Sequence, residues 1–147
     1  MDSKPAVALL AARGGLGSIF LMSGLGKVAN WSGTVAYAGI KGVPEILLAG
    51  AAALAILGGV SVLAGWKTRW GVAALLAFLA PVTVVFHGFW GYQGAEVQPQ
   101  MIQFLKNLSI AGGLLALGAA GPGAISVDAR AARAAAANAP SGARTAA

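Results

Sequence analysis

Residues 44–90 read PEILLAGAAALAILGGVSVLAG, then WKTR, then WGVAALLAFLAPVTVVFHGFW. Two apolar runs, 44–65 and 70–90, are parted by four residues, two of them basic. At about 1.5 Å rise per residue, each run is long enough as a helix to cross a hydrocarbon core about 30 Å thick. A turn this short leaves the two helices as antiparallel neighbours. Pro44 opens the first run, where a missing N–H costs nothing. Trp66, Trp70 and Trp90 mark the run ends, as amphipathic rings do at the headgroup level. The stretch therefore reads as a transmembrane helical hairpin.

Working outward, the same signature recurs at about 5–26 and at 101–120, with Pro5 at the start of the former and Trp31 and Tyr92 flanking the runs. The predicted fold class is all-α: an integral membrane four-helix bundle spanning 5–26, 44–65, 70–90 and 101–120. Composition agrees. The chain is 58% hydrophobic and 10% charged, with mean hydropathy +0.77, against about 25% charged residues in ordinary soluble domains. At 147 residues there is room for one domain. We expect a transmembrane domain over 1–125 and an Ala/Arg-rich tail over 126–147, its first part an interfacial helix and its last residues disordered. Residues 27–43 carry glycine and aromatic residues and read as a partial interfacial helix, and 91–100 as a polar loop. A cleaved signal peptide is the weaker reading of the first run, because Arg13 interrupts it and no soluble domain follows.

A net charge of +6 invites a nucleic-acid reading, but the basic residues flank apolar runs singly and form no phosphate-binding stripe. Their distribution instead sets orientation. With a cytoplasmic N-terminus, Lys4, Lys67, Arg69, Arg130, Arg133 and Arg144 lie inside and Lys27, Lys41 and Lys106 outside, which places both termini in the cytoplasm. The tail arginines suit anionic lipid headgroups. The chain has no cysteine and one histidine, so Cys-ligated metals, iron–sulfur clusters and bis-histidine haem are not expected.

Ionisable residues near a span are costly and therefore informative. Arg13 is an intramembrane charge on the same face of the first helix as Gly17, Phe20, Gly24 and Lys27. It reads as a counter-ion or headgroup partner, or alternatively as a snorkelling side chain. Antiparallel topology brings Lys27, Glu45, His87, Trp90, Lys106 and Asn107 to the opposite side. There they form a candidate polar pocket, with Phe86 and Phe104 among its apolar neighbours, suited to a quinone or a small polar headgroup, in which His87 hydrogen-bonds a carbonyl or passes a proton. The plainer alternative is that Lys27, Glu45 and Lys106 pair at the interface and only set helix depth. Small residues at Ala51, Ala55 and Gly59, and at Gly112, Ala116 and Ala120, read as helix-packing seams. GLGK at 24–27 lacks the context of a phosphate loop, and the two Asn-x-Ser matches, at Asn30 and Asn107, are of a frequency expected by chance.

Read in order, Arg13 with GSIFLMSGLGK (17–27), LGGVSVLAGWKTRWG (57–71), HGFW (87–90), QFLKNLSIAGGLL (103–115) and GPGAISVD (121–128) resemble the DoxX family of small bacterial four-helix membrane proteins. The resemblance covers about residues 6–130. It implies a multi-pass protein of the bacterial cytoplasmic (inner) membrane associated with redox systems, as a membrane subunit of quinone-linked oxidoreductases or a partner of thiol-handling enzymes. Arg13, Lys27, His87, Lys106, Asn107 and Asp128 are the polar residues within family-like motifs. Many relatives carry an acid in the second span just before the Gly-Gly pair. Here that position is Ala55, which weakens a direct proton or electron role.

The expectation is thus an accessory, non-catalytic subunit that anchors a redox partner and contacts quinone, without metal or covalent cofactor. Two alternatives stay open: a carrier of lipid or small hydrophobic molecules, and a structural scaffold.

Overall fold

The computed structural model describes residues 3–138. Every regular element among them is helical: α1 (Ser3–Ala29), α2 (Trp31–Ile40), α3 (Glu45–Ala64), α4 (Thr68–His87), α5 (Val97–Ala120) and α6 (Val127–Ala137), with short 3-10 turns at Phe89–Gly91 and Gly94–Glu96. Four of these, α1, α3, α4 and α5, are long and apolar enough to cross a membrane. The region 27–43 contains α2, and α6 begins the tail. The last residues of the tail, expected to be disordered, lie outside the described residues. One boundary moves. The predicted loop 91–100 ends early, because α5 starts at Val97. Pro99 sits in its first turn, where no intrahelical N–H is lost.

The bundle runs up and down in chain order, α1 against α3, α3 against α4, and α4 against α5, with a thinner seam between α5 and α1. Its centre is Phe20, Ala55, Val62, Leu75, Phe78 and Leu114. Phe20 and Phe78 meet edge to face, centroids 5.9 Å apart, the arrangement aromatic quadrupoles favour. Outside the core, large apolar side chains such as Ile46, Leu57, Leu108 and Leu115 are well exposed. An aqueous solvent would penalise such a surface; hydrocarbon does not.

Helix association in lipid depends on close backbone approach rather than on the hydrophobic effect, and α3 supplies that approach on two faces. A Cβ at Gly59 would stand 2.9 Å from the Leu21 amide nitrogen and 3.0 Å from the Gly17 carbonyl of α1. One at the neighbouring Gly58 would meet Leu75 and the Gly71 carbonyl of α4. Ala55 is fully buried on the same helix and Ala51 partly so. The second expected seam differs. Gly112, Ala116 and Ala120 are exposed, and a Cβ on Gly112 would meet nothing within 4 Å. The buried residues of α5 are Leu114 and Leu117 instead, and the glycines it turns to its neighbours are Gly113, towards Leu16 of α1, and Gly118, towards Val72 of α4. Gly112→Ala is accordingly expected to be tolerated, shifting stability by no more than about 1 kcal/mol in thermal unfolding in mild detergent. A large loss would place a further chain against that face.

Candidate functional site

The polar groups gather at the two ends of the bundle. At the end carrying the termini, Arg13 is 1% exposed and its Nη2 donates to the Ile125 carbonyl. Its other guanidinium nitrogens have no protein partner, and Nη1 lies against Gly65. Gly65 ends α3 in the left-handed region, at φ 66°, where a side chain would be strained. The guanidinium is thus turned into protein, towards the α3–α4 turn, and neither snorkels to the surface nor faces a headgroup.

The segment 121–128 closes over this turn. Gly121 and Gly123 have positive φ. Ser126 Oγ accepts from the Ala129 amide at 3.1 Å and so caps α6. The Asp128 carboxylate reaches across to α4, accepting from the Lys67 amide (2.8 Å), the Thr68 amide (3.2 Å) and the Thr68 hydroxyl (3.3 Å). Its own amide donates to the Gly65 carbonyl at 2.9 Å. A carboxylate on the first amides of α4 satisfies orphan donors and complements the helix dipole. GPGAISVD is therefore a clasp that ties the start of the tail to the α3–α4 turn.

The opposite end holds a cavity of about 700 Å3, a size ordinary for small-molecule sites. Parts of α1, α3, α4 and α5 form its walls and α2 lies across it. Apolar walls come from Phe20, Phe78, Pro81, Val82, Val85 and Ile110, among others, and polar groups from Ser23, Lys27, Thr34, Tyr37, His87 and Asn107. Lys27 Nζ donates to Ser23 Oγ at 2.7 Å and to the Ser23 carbonyl at 3.3 Å, and lies 5.3 Å from the centre of the Phe78 ring. His87 Nδ1 is 2.9 Å from Gln100 Oε1 on α5. If Nδ1 donates in that pair, Nε2 keeps a lone pair. Tyr37 of α2 stacks on Phe86 of α4, centroids 5.5 Å apart.

Three of the six residues expected in a polar pocket, Lys27, His87 and Asn107, share this cavity. The other three lie elsewhere. Glu45 accepts from Trp31 Nε1 at 2.8 Å, joining the starts of α2 and α3. Trp90 is 64% exposed and packs on Phe89 and Phe104. Lys106 lines a shallow outer groove on α5 with Ile102, Leu105, Ser109 and Ile110. It is one residue from Asn107, and about 100° of helical turn separates the two side chains. The interfacial pairing of Lys27, Glu45 and Lys106 is likewise not formed: the described residues contain no Glu45 contact with either lysine within hydrogen-bonding distance.

Sequence reasoning missed Ser23, Thr34, Tyr37 and Gln100. Ser23 was within reach, standing four residues before Lys27 on one helix face. Tyr37 and Gln100 carried no signal, since their roles follow from how α2 crosses the bundle and where α5 begins.

Four antiparallel apolar helices around a cavity with a polar end, clasped at the other end by a C-terminal loop, define a polytopic helical-bundle membrane protein. The DoxX family model matches residues 8–88, and the chain belongs to the DoxX family. It is similar to inner membrane protein YphA of Escherichia coli (strain K12), 36% identical over 126 residues, or 84% of this chain and 90% of that protein. It is similar also to inner membrane protein YqjF of the same organism, 34% identical over 122 residues, covering 83% of this chain and 90% of that one. No solved structure matches. The chain is a multi-pass inner-membrane protein.

Proposed function

We propose that this protein is an accessory membrane subunit of a quinone-linked redox system and that its cavity receives a quinone head. The observation that carries the reading is the convergence of Lys27, His87 and Asn107 on one cavity with aromatic and aliphatic walls. A quinone needs flat apolar surface for its ring and donors for two carbonyl oxygens. Phe20, Phe78 and the Tyr37–Phe86 stack offer the first. The Asn107 amide and the Lys27 ammonium offer the second, and His87, with Nδ1–H on Gln100 and Nε2 left as an acceptor, suits the hydroxyl of the reduced quinol. With the termini in the cytoplasm, as the Lys/Arg bias implies, the cavity sits in the outer half of the membrane. A redox protein would then dock at that face, with this chain as its anchor.

Titration of the purified protein with a short-chain quinone and its quinol tests the reading. Asn107→Leu is expected to weaken quinone binding and His87→Ala quinol binding, each roughly two- to tenfold, the worth of one hydrogen bond. Lys106→Ala, outside the cavity, leaves it unchanged. Equal binding by all four proteins, or none by any, removes the quinone site.

One observation favours a second reading, a carrier of lipid or hydrophobic molecules. Ile46 and Leu47 line the cavity yet are 77% and 62% exposed. The cavity therefore reaches the lipid-facing surface beside α3, and a molecule can enter sideways from the bilayer. Lipid that co-purifies in stoichiometric amount and is not displaced by quinone would select this reading.

A further inference from the structure

The charge balance of the cavity points to the kind of head it takes. Lys27 is the single formal cation among the lining residues, and neither aspartate nor glutamate is among them. The described carboxylates are engaged or placed elsewhere: Glu45 on Trp31, Asp128 on the α4 amides at the other end of the bundle, and Glu96 in the α4–α5 connection. The ammonium donates two hydrogens to Ser23, leaves its third free, and rests near the Phe78 ring. Ser23 accepts from Lys27, so its own hydroxyl hydrogen is free to donate. The Asn107 amide adds two donors from the α5 wall. A cation in largely apolar surroundings, ringed by donors and without a carboxylate, is balanced when the occupant brings the negative charge.

We propose that this cavity binds single-chain amphiphiles with an anionic head, the head on Lys27, Ser23 and Asn107 and the chain along the apolar wall that leads past Leu47 to the lipid. The volume of about 700 Å3 holds a head and a stretch of chain, and the opening beside α3 lets the remainder stay in the bilayer. The proposal rests on this cavity being a ligand site, but not on the ligand being a quinone.

The test compares three ligands of one chain length, hexadecanoate, hexadecanol and hexadecylamine, binding to the full chain in neutral-detergent micelles at neutral pH. The acid is expected to bind about ten- to a hundredfold more tightly than the alcohol, the range of one charge-assisted hydrogen bond, and the amine more weakly than either. In Lys27→Met the acid and alcohol should bind alike. Lys27→Arg should keep the preference, and Lys106→Met should match the unaltered protein. Equal binding of acid and alcohol to the unaltered protein overturns the proposal without recourse to any variant, and so does a preference that survives in a folded Lys27→Met.

Competition separates this proposal from the quinone reading. If a short-chain quinone binds and hexadecanoate does not displace it, the anionic-head proposal falls and the quinone site stands. If hexadecanoate binds with the Lys27-dependent preference and quinone cannot displace it, the reverse holds.

Discussion

Replacing Gly59 with leucine is expected to abolish a stable bundle. The position lies where the α3 and α1 backbones approach closely, and a Cβ there would stand 2.9 Å from the Leu21 amide nitrogen and 3.0 Å from the Gly17 carbonyl. Both obstacles are backbone, so no rotamer change relieves them, and the helices must move apart. Gly17 and Gly24 on α1 face Leu63 and Ile56 of α3 with similarly little space, so separation at Gly59 loosens the whole α1–α3 seam. Overpacking usually costs about 1–3 kcal/mol. Here the cost should exceed about 3 kcal/mol, because in lipid no hydrophobic effect between helices offsets the lost packing. Size exclusion and thermal unfolding in mild detergent read the outcome. Gly59→Leu should aggregate or melt far below the unaltered protein, with Gly59→Ala intermediate and Gly112→Leu close to unaltered. A Gly59→Leu protein that melts normally would refute the α1–α3 contact.

The clasp over the α3–α4 turn gives the second large effect. Asp128→Ala removes the acceptor of the Lys67 amide, the Thr68 amide and the Thr68 hydroxyl together. Thr68 is 1% exposed, so its side chain has little water to turn to. Hydrogen bonds to a charged group contribute about 1.5–3 kcal/mol each, but a shared acceptor does not count them independently. A loss of about 3 kcal/mol is therefore expected, appearing as a lower melting temperature. The same change should loosen α6, which keeps the backbone amide of position 128 on the Gly65 carbonyl at 2.9 Å, the Ser126 cap at 3.1 Å and Arg133 on the Ala124 carbonyl at 3.3 Å. Limited proteolysis at Arg130 and Arg133 should accelerate accordingly. Asp128→Asn keeps the shape and one acceptor oxygen, and is expected to recover part of the stability. Ligand binding in the distant cavity should survive both substitutions. Unchanged melting and proteolysis in Asp128→Ala would show that the clasp bears no load.

The glycine seam and the clasp differ in how visible they are without a structure. Ala51, Ala55 and Gly59 could be read from spacing, and α3 buries that stripe because it is flanked on two sides. The same spacing at Gly112, Ala116 and Ala120 faces outward, because α5 turns Gly113, Leu114, Leu117 and Gly118 to its neighbours instead. Spacing reports that a helix has a smooth stripe; which neighbour meets it depends on helix rotation. Arg13 teaches the same lesson. Its period placed it on the inward face of α1, but its partner, the Ile125 carbonyl, is 112 residues away in sequence. Local pattern holds no trace of that pairing.

What the sequence determined by itself is the number, length and antiparallel order of the spans, because lipid solvation demands long apolar runs with self-satisfied backbones and a four-residue turn allows one arrangement. It also brought the polar residues to two ends. What only the tertiary structure decided is which of them meet. Lys27, His87 and Asn107 share a cavity while Glu45, Trp90 and Lys106 do not, although all six sit at the same end. Depth in the membrane follows from position along the chain; direction around each helix axis follows from packing against its neighbours, and it is direction that forms a site.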